Sequence, residues 1–145
     1  MHGRVFQDLG DRLTRSLIAG DFALYAQVMA LPLRIDPRGG HAYVLETPEA
    51  LQRDFDLYHA AIRAAQVTDI FREVQEVDEQ PDGGWRVFCR VHIFVHAHRI
   101  AEPHCSEMLL VPDPPGMRIA EIVATSEHID WTLGRARLGP GDGLI

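Results

Sequence analysis

The sequence has few cysteines, no long apolar run and no cluster of basic residues. Two cysteines in 145 residues do not suggest a disulfide-stabilised scaffold. No apolar run approaches the roughly 20 residues that a membrane helix needs, and the first residues lack the apolar stretch of a secretory signal. The formal net charge is -7, so a nucleic-acid backbone would be repelled. These absences argue against nucleic acid and membrane as partners and predict a cytoplasmic protein.

The composition is typical of one globular domain. The chain is 46% apolar and 24% charged, which are ordinary values for a soluble protein, and its length is sufficient for a single core. We predict one domain over residues 1–130 and a Gly-rich, flexible tail over residues 131–145. Trp131 is expected to cover either a pocket mouth or a dimer edge, and the sequence does not choose between them.

Helical periodicity dominates the first half of the chain. Apolar residues recur at helical spacing from Phe6 to Leu17, and Gly20 ends this first helix. Asp21 fits the N-cap of a short second helix, whose inner face carries Phe22 and Tyr25. Two short strands are expected to follow, joined by a turn around residues 37–40.

A third helix has the clearest start signal in the sequence. Thr47 fits the N-cap and Pro48 the first helical position. One face is a continuous apolar stripe made of Leu51, Phe55, Tyr58, Ile62 and Ala65. The opposite face, which includes His59, is expected to lie in water.

Four antiparallel strands with short turns are predicted after the third helix. The second of them, over residues 85–99, alternates between two faces. One face is wholly apolar and carries Val87, Cys89, Val91, Ile93, Val95 and Ala97. The other carries Arg86, Phe88, Arg90, His92, Phe94, His96 and His98. Burying several unpaired ionisable groups is costly, so we expect the apolar face to lie against the helices.

The outer face of this strand mixes aromatic, Arg and His side chains, as protein interfaces do. We predict a homodimer contact formed by Phe88, Arg90, His92, Phe94 and His96. A metal site would need convergent ligands with supporting groups around them. His96 and His98 could be joined by His104 across the hairpin, but no spacing rule selects this set, so no metal is predicted.

The two cysteines are expected to be reduced. In the predicted hairpin, Cys105 lies near the turn and Cys89 lies far along the partner strand. At about 3.3 Å per residue, this separation is beyond disulfide range. Cys89, on the apolar face, is interpreted as a small buried thiol.

The order of these elements resembles the nuclear-transport-factor-2-like (SnoaL-like) superfamily. The resemblance is carried by "AGDFALYAQVMALPLRID", "LETPEALQRDF", the strand over residues 85–99 and "GMRIAEIVATS". It implies an α+β fold in which a curved, mostly antiparallel sheet wraps around about three helices. The resulting cone holds an internal pocket, and such proteins are often dimers. Because this fold serves many chemistries, function has to be argued from the site.

Ketosteroid isomerase is the best-known enzyme of this superfamily, and it uses a carboxylate base with acidic hydrogen-bond donors. The resemblance places Asp36 near the position of that base, with a one-residue gap. The donors differ, because Leu13 stands where the family has a tyrosine, and Cys105 or Ser106 stands where it has a buried acid. Asp36 precedes Pro37, which is also common turn chemistry, and we favour this second interpretation.

The pocket implied by this fold is expected to be apolar with a few polar groups, which suits a small organic ligand. We expect it to be lined by Phe22, Tyr25, Phe55, Tyr58, Val91, Ile93 and Met108. The predicted function is a homodimeric binding protein for a small, largely apolar molecule, without a cofactor. The alternative is a cofactor-independent isomerase, cyclase or hydrolase that uses acid–base chemistry, with Asp36, Tyr25 and Tyr58 as candidate catalytic residues. A third class is a pure interaction protein with a filled core.

Overall fold

The fold is known from a computed structural model that describes residues 2–37, 41–100, 102–114 and 116–124. Over these residues the chain forms three helices, α1 (His2–Ala19), α2 (Phe22–Val28) and α3 (Pro48–Ala65). It also forms seven strands, β1 (Met29–Asp36), β2 (Tyr43–Leu45), β3 (Asp69–Glu79), β4 (Trp85–Val95), β5 (His98–Arg99), β6 (His104–Asp113) and β7 (Gly116–Ala124). Within these ranges, no helix is both long and apolar enough to span a bilayer.

The helix boundaries follow the local signals in the sequence. The Asp21 carboxylate accepts a hydrogen bond from the Leu24 amide at 3.1 Å, and the Thr47 hydroxyl accepts one from the Ala50 amide at 3.1 Å. Both side chains therefore satisfy amides that have no partner inside the helix. Gly20 has a φ of 73°, a left-handed conformation that glycine adopts without strain and that ends α1.

The strands form one mixed sheet in the order β2-β1-β7-β6-β4-β3, with β5 paired to β4. The pair β1 and β7 is parallel, and the other pairs are antiparallel. The helices pack against one face of this sheet, and the buried apolar residues of α1, α2 and α3 form a single cluster with the inner side chains of the strands. The predicted α+β fold with three helices is confirmed.

The inner face of β4 is the one that the alternation predicted. Val87, Cys89, Val91 and Ile93 are buried, while His92 lies on the other face. The prediction that the strand continues to residue 99 is wrong, because β4 ends at Val95. His96 has a φ of 55°, which a β-strand does not accommodate, and its amide donates to the Thr68 hydroxyl at 2.5 Å. Val95 is therefore half-buried and Ala97 is exposed in a turn.

Because the turn after β4 comes earlier than predicted, β6 pairs with β4 in a different register from the predicted one. Cys89 lies opposite Ser106, and Cys105 lies opposite Arg90, so the two cysteines are on adjacent strands at nearly the same level. The predicted large separation between them is wrong, although neither cysteine is disulfide-bonded. They point to opposite faces, because Cys89 is buried and Cys105 alternates with the buried His104 and Ser106.

One residue of α3 that was expected in water has a structural role. His59 is half-buried, and its Nδ1–H donates to the Leu17 carbonyl at 2.7 Å. Its ring stacks on Phe55, with a centroid distance of 5.9 Å and an interplanar angle of 8°. The carbonyl of Leu17 belongs to the last turn of α1, where the intrahelical donors run out, so His59 links the end of α1 to α3.

Candidate functional site

An aromatic wall, formed by Phe22, Tyr25 and Phe55, lies between α2 and α3 on the inner side of the sheet. The ring centroids of Tyr25 and Phe55 are 4.7 Å apart, and those of Phe22 and Phe55 are 5.5 Å apart. These are distances at which tilted aromatic pairs attract each other. Helical spacing from Phe22 to Tyr25 and the apolar stripe of α3 bring the three rings together, as the sequence predicted for the pocket lining.

A carboxyl group that was not among the predicted site residues lies beside this wall. Asp54 of α3 is half-buried, and its Oδ1 accepts a hydrogen bond from the Tyr43 hydroxyl of β2 at 3.0 Å. Burial raises the pKa of Asp54, and the hydrogen bond from Tyr43 lowers it in part. The net direction is upward, so this carboxyl group is easier to protonate than an ordinary aspartate.

The position of Asp54 was readable in the helical pattern. It lies three residues after Leu51 and four before Tyr58, which places all three on one face of α3. The neighbouring residues Phe55 and Tyr58 were predicted to line the pocket, and Asp54 was not. An aspartate within an apolar stripe is the signal that could have identified the group.

Two further phenols, those of Tyr25 and Tyr58, surround the same region. Burial raises the pKa of both hydroxyl groups. Asp54 raises both further, while Arg72 lowers both. Both phenols therefore remain protonated at neutral pH, and a protonated phenol can donate a hydrogen bond.

Arg72 of β3 brings a guanidinium group to the inner side of the sheet. Its Nη1 donates to the Thr14 hydroxyl at 2.6 Å and to the Gly10 carbonyl at 3.2 Å, both on α1. Arg72 is half-buried, and its partial removal from water lowers the pKa of the guanidinium. This group was not predictable from the sequence, because its partners lie about 60 residues earlier in the chain.

We refer to Tyr25, Tyr43, Asp54, Tyr58 and Arg72 as the inner polar cluster. Asp54 acts electrostatically on all three tyrosines, and Arg72 acts on Tyr25 and Tyr58. Tyr25 and Tyr58 therefore experience the charge of both groups. The cluster has an acidic end at Asp54 and a basic end at Arg72.

The remaining residues predicted for the pocket lining also face the inner side. Val91 and Ile93 of β4 and Met108 of β6 are buried in the main core. Two polar side chains of β6, those of His104 and Ser106, are buried on the same face. The structure thus places all seven predicted lining residues on the helix side of the sheet, and their contact with a ligand stays a prediction.

Asp36, the carboxylate singled out by the family resemblance, lies outside this cluster. Its side chain is 39% exposed and pairs with Arg34 at 3.5 Å. Arg34 in turn binds Glu121 at 2.6 Å, and Arg86 contacts both Glu121 and Glu107. This ion-pair network lies on the outer face of the sheet, because Glu107 alternates along β6 with the buried Ser106 and Met108.

The histidines of residues 92–98 are on the outer side. His92 accepts a hydrogen bond from Arg99 at Nδ1 over 3.1 Å, because a guanidinium only donates. Its Nε2–H then donates to Glu73 at 3.1 Å. His96 and His98 are exposed, whereas His104 is buried on the inner face, so these three rings do not converge. In the part of the chain that the structure describes, no group of three His, Cys, Asp or Glu side chains is arranged to hold a metal ion.

No protein-family model matches this sequence, and a search of curated proteins finds no match either. Solved structures match over most of the chain. ActVI-ORFA from Streptomyces coelicolor is 14% identical, with 88% of this chain and 99% of that chain covered and a TM-score of 0.69. Aln2 from another Streptomyces species is 18% identical, with 92% and 94% covered and a TM-score of 0.64.

A member of the NTF2-like family from Streptomyces avermitilis is 12% identical, with 83% of this chain and 92% of that chain covered and a TM-score of 0.60. At identities this low, a structural match shows a shared fold and gives no information about activity. The three helices, the mixed sheet and these structural matches agree with the resemblance in the sequence. The chain has the nuclear-transport-factor-2-like fold.

Proposed function

We propose that this protein binds a small, largely apolar organic molecule, with its apolar part against the aromatic wall and its polar groups towards the inner polar cluster. The proposal rests on one observation, which is that an apolar surface lies next to a few polar groups. The rings of Phe22, Tyr25 and Phe55 supply the apolar surface, and the phenols and Asp54 supply the polar groups. This combination is typical of sites for small organic ligands.

Binding of neutral aromatic amides, from benzamide to 2-naphthamide, tests this proposal by isothermal titration calorimetry. We expect saturable binding with one site per chain. Tyr58→Phe keeps the ring and removes the hydroxyl, so we expect it to weaken binding about 2- to 10-fold, the range of one neutral hydrogen bond. Leu57→Ala, on the exposed side of the same helix, is the matched control and should bind as the wild type does. Absence of saturable binding, or equal effects of both variants, would contradict the proposal.

A second candidate is acid–base catalysis on such a molecule, and the specific observation in its favour is Asp54. A carboxyl group whose pKa is raised lies closer to neutral pH, where a general base is most effective. The Asp54 carboxylate would take a proton from the carbon next to a substrate carbonyl, and the Tyr58 hydroxyl would donate to the resulting enolate oxygen. This role takes the place that the resemblance gave to Asp36.

Proton exchange at the α-carbon of 2-tetralone in D₂O, followed by NMR, measures this reaction. The wild type should accelerate the exchange, and Asp54→Asn should lose the acceleration. Asp56→Asn, which changes an exposed carboxylate two residues further along α3, should retain it. If both variants exchange at the wild-type rate, Asp54 is not the base.

We also propose that the outer face of β4 mediates self-association. Phe88, His92 and Phe94 lie on this face, and the rings of His92 and Phe94 stack at 6.4 Å. Phe71 of β3 extends the patch and is 50% exposed. Such a concentration of partly exposed aromatic rings favours an interface. A cytoplasmic location and action without a cofactor stay predictions of the sequence.

A further inference from the structure

The guanidinium of Arg72 is a half-buried cation that has no carboxylate partner among the described residues. In the described ranges, its hydrogen bonds go to a hydroxyl and a carbonyl of α1, and no carboxylate forms a salt bridge with it. Asp11 and Asp69 act on it electrostatically from a greater distance. Burial of a charge is costly unless the charge is paired. A purely structural role for Arg72 would leave this partly buried charge without an anionic partner.

The hydrogen-bond geometry leaves one edge of the guanidinium available. An arginine side chain has five N–H donors, and both bonds to α1 come from Nη1. The three donors on Nε and Nη2 make no hydrogen bond to the described residues. Nε–H and one Nη2–H point in parallel, and this pair matches the two oxygens of a carboxylate.

Thr14 fixes the orientation of this group. Its hydroxyl accepts from Arg72 Nη1 at 2.6 Å and donates to the Ile70 carbonyl at 3.2 Å. Because the hydroxyl hydrogen is used on Ile70, the oxygen can only accept from the guanidinium. Thr14 is thus a positioning residue, which ties Arg72 Nη1 to α1 and leaves Nε and Nη2 free for another partner.

We propose that Arg72 binds the acidic group of the ligand, which is therefore an organic anion with an apolar body, such as an aromatic carboxylate. This inference rests on the ligand site proposed above and adds the charge of the ligand and its orientation. The anion lies at the Arg72 end of the inner polar cluster, away from the Asp54 carboxylate. The apolar body lies against the aromatic wall, and the neutral phenols of Tyr25 and Tyr58 lie between the two charged ends.

Paired titrations with 2-naphthoate and the isosteric 2-naphthamide test this inference at pH 7. We expect the wild type to bind the carboxylate about 10- to 100-fold more tightly than the amide, the range of a hydrogen bond to a charged group. In Arg72→Met this preference should fall to about 1. Arg72→Lys keeps the charge without the paired donors and should retain part of the preference. Thr14→Val should reduce it without removing it.

The ratio of the two affinities within one variant is unaffected by partial unfolding, because unfolded protein lowers both affinities equally. If Arg72 only links α1 to β3, Arg72→Met will lower the melting temperature and leave the preference unchanged, which overturns the inference. Wild-type protein that binds both probes equally also overturns it, while the proposed ligand site stands. If neither probe binds, both the ligand site and the role of Arg72 are wrong.

Discussion

At the residue scale, the inner polar cluster depends on groups whose ionisation is changed by burial. The thiol of Cys89, a core residue outside this cluster, shows such a change, because burial raises its pKa to about 11, which keeps it protonated and unreactive at neutral pH. Asp54 shows the same effect on an acid, and here the changed group is also a candidate for chemistry. Burial favours the neutral form in both cases, so the environment decides the charge of each side chain.

The raised pKa of Asp54 predicts a pH-dependent contribution to stability. The folded protein holds a proton on Asp54 more tightly than the unfolded chain does, where the ordinary pKa is 3.8. Asp54 in its protonated form therefore contributes stability that is complete below this value and is lost as the pH rises through the folded-state pKa. Chemical denaturation at several pH values should show that Asp54→Asn gains free energy of unfolding relative to the wild type as the pH rises. Asp56→Asn, with an exposed side chain, should show a constant difference, and a constant difference for Asp54→Asn would contradict the prediction.

At the element scale, α3 positions most of the candidate site. It carries Phe55 for the aromatic wall and both Asp54 and Tyr58 for the inner polar cluster, and its stacked His59 holds the end of α1. The C-terminal end is closed by Gln66 in the left-handed conformation, with a φ of 58°. A well-defined helix start and end fix the rotation of these side chains about the helix axis.

The contribution of local structure to the stability of α3 can be measured at its N-cap. Thr47→Ala removes the acceptor for the Ala50 amide, and we expect it to lower the free energy of unfolding by about 1 kcal/mol. Thr47→Ser retains a hydroxyl group and should cost much less. Urea denaturation followed by circular dichroism measures both variants. An equal loss in the two would show that the methyl group of Thr47, rather than its hydroxyl, stabilises the helix.

At the scale of the whole molecule, the sheet separates two chemically different surfaces. The inner face carries the core and the inner polar cluster, while the outer face carries the ion pairs around Glu121 and the aromatic patch around His92. The proposed ligand site and the proposed self-association site lie on opposite faces of the sheet, so they do not compete for the same residues. Substitutions on one face should therefore leave the proposed function of the other face intact.

Sedimentation velocity over a concentration series tests the self-association. Phe94→Glu introduces a charge into the aromatic patch and should convert the proposed dimer to a monomer, because burial of an unpaired charge is costly. Leu57→Glu places the same charge at another exposed apolar residue, on α3, and should remain dimeric. A wild type that sediments as a monomer at every concentration would contradict the proposal.

The sequence by itself determined the local structure of this protein. The caps at Asp21 and Thr47 and the inward face of β4 were readable, because each depends on residues within a few positions along the chain. The order of elements was sufficient to predict the fold. These features also led to the aromatic wall, since its members lie on the apolar faces of adjacent helices.

Only the tertiary structure decided the register of the strands and the composition of the polar site. The end of β4 at Val95 depends on a hydrogen bond from His96 to Thr68, 28 residues away, and this end brings Cys105 level with Arg90. Arg72 is oriented by Thr14, 58 residues earlier, and Asp54 is held by Tyr43 from another element. Each contact joins side chains that no local periodicity relates, because packing of the helices onto the sheet brings them together.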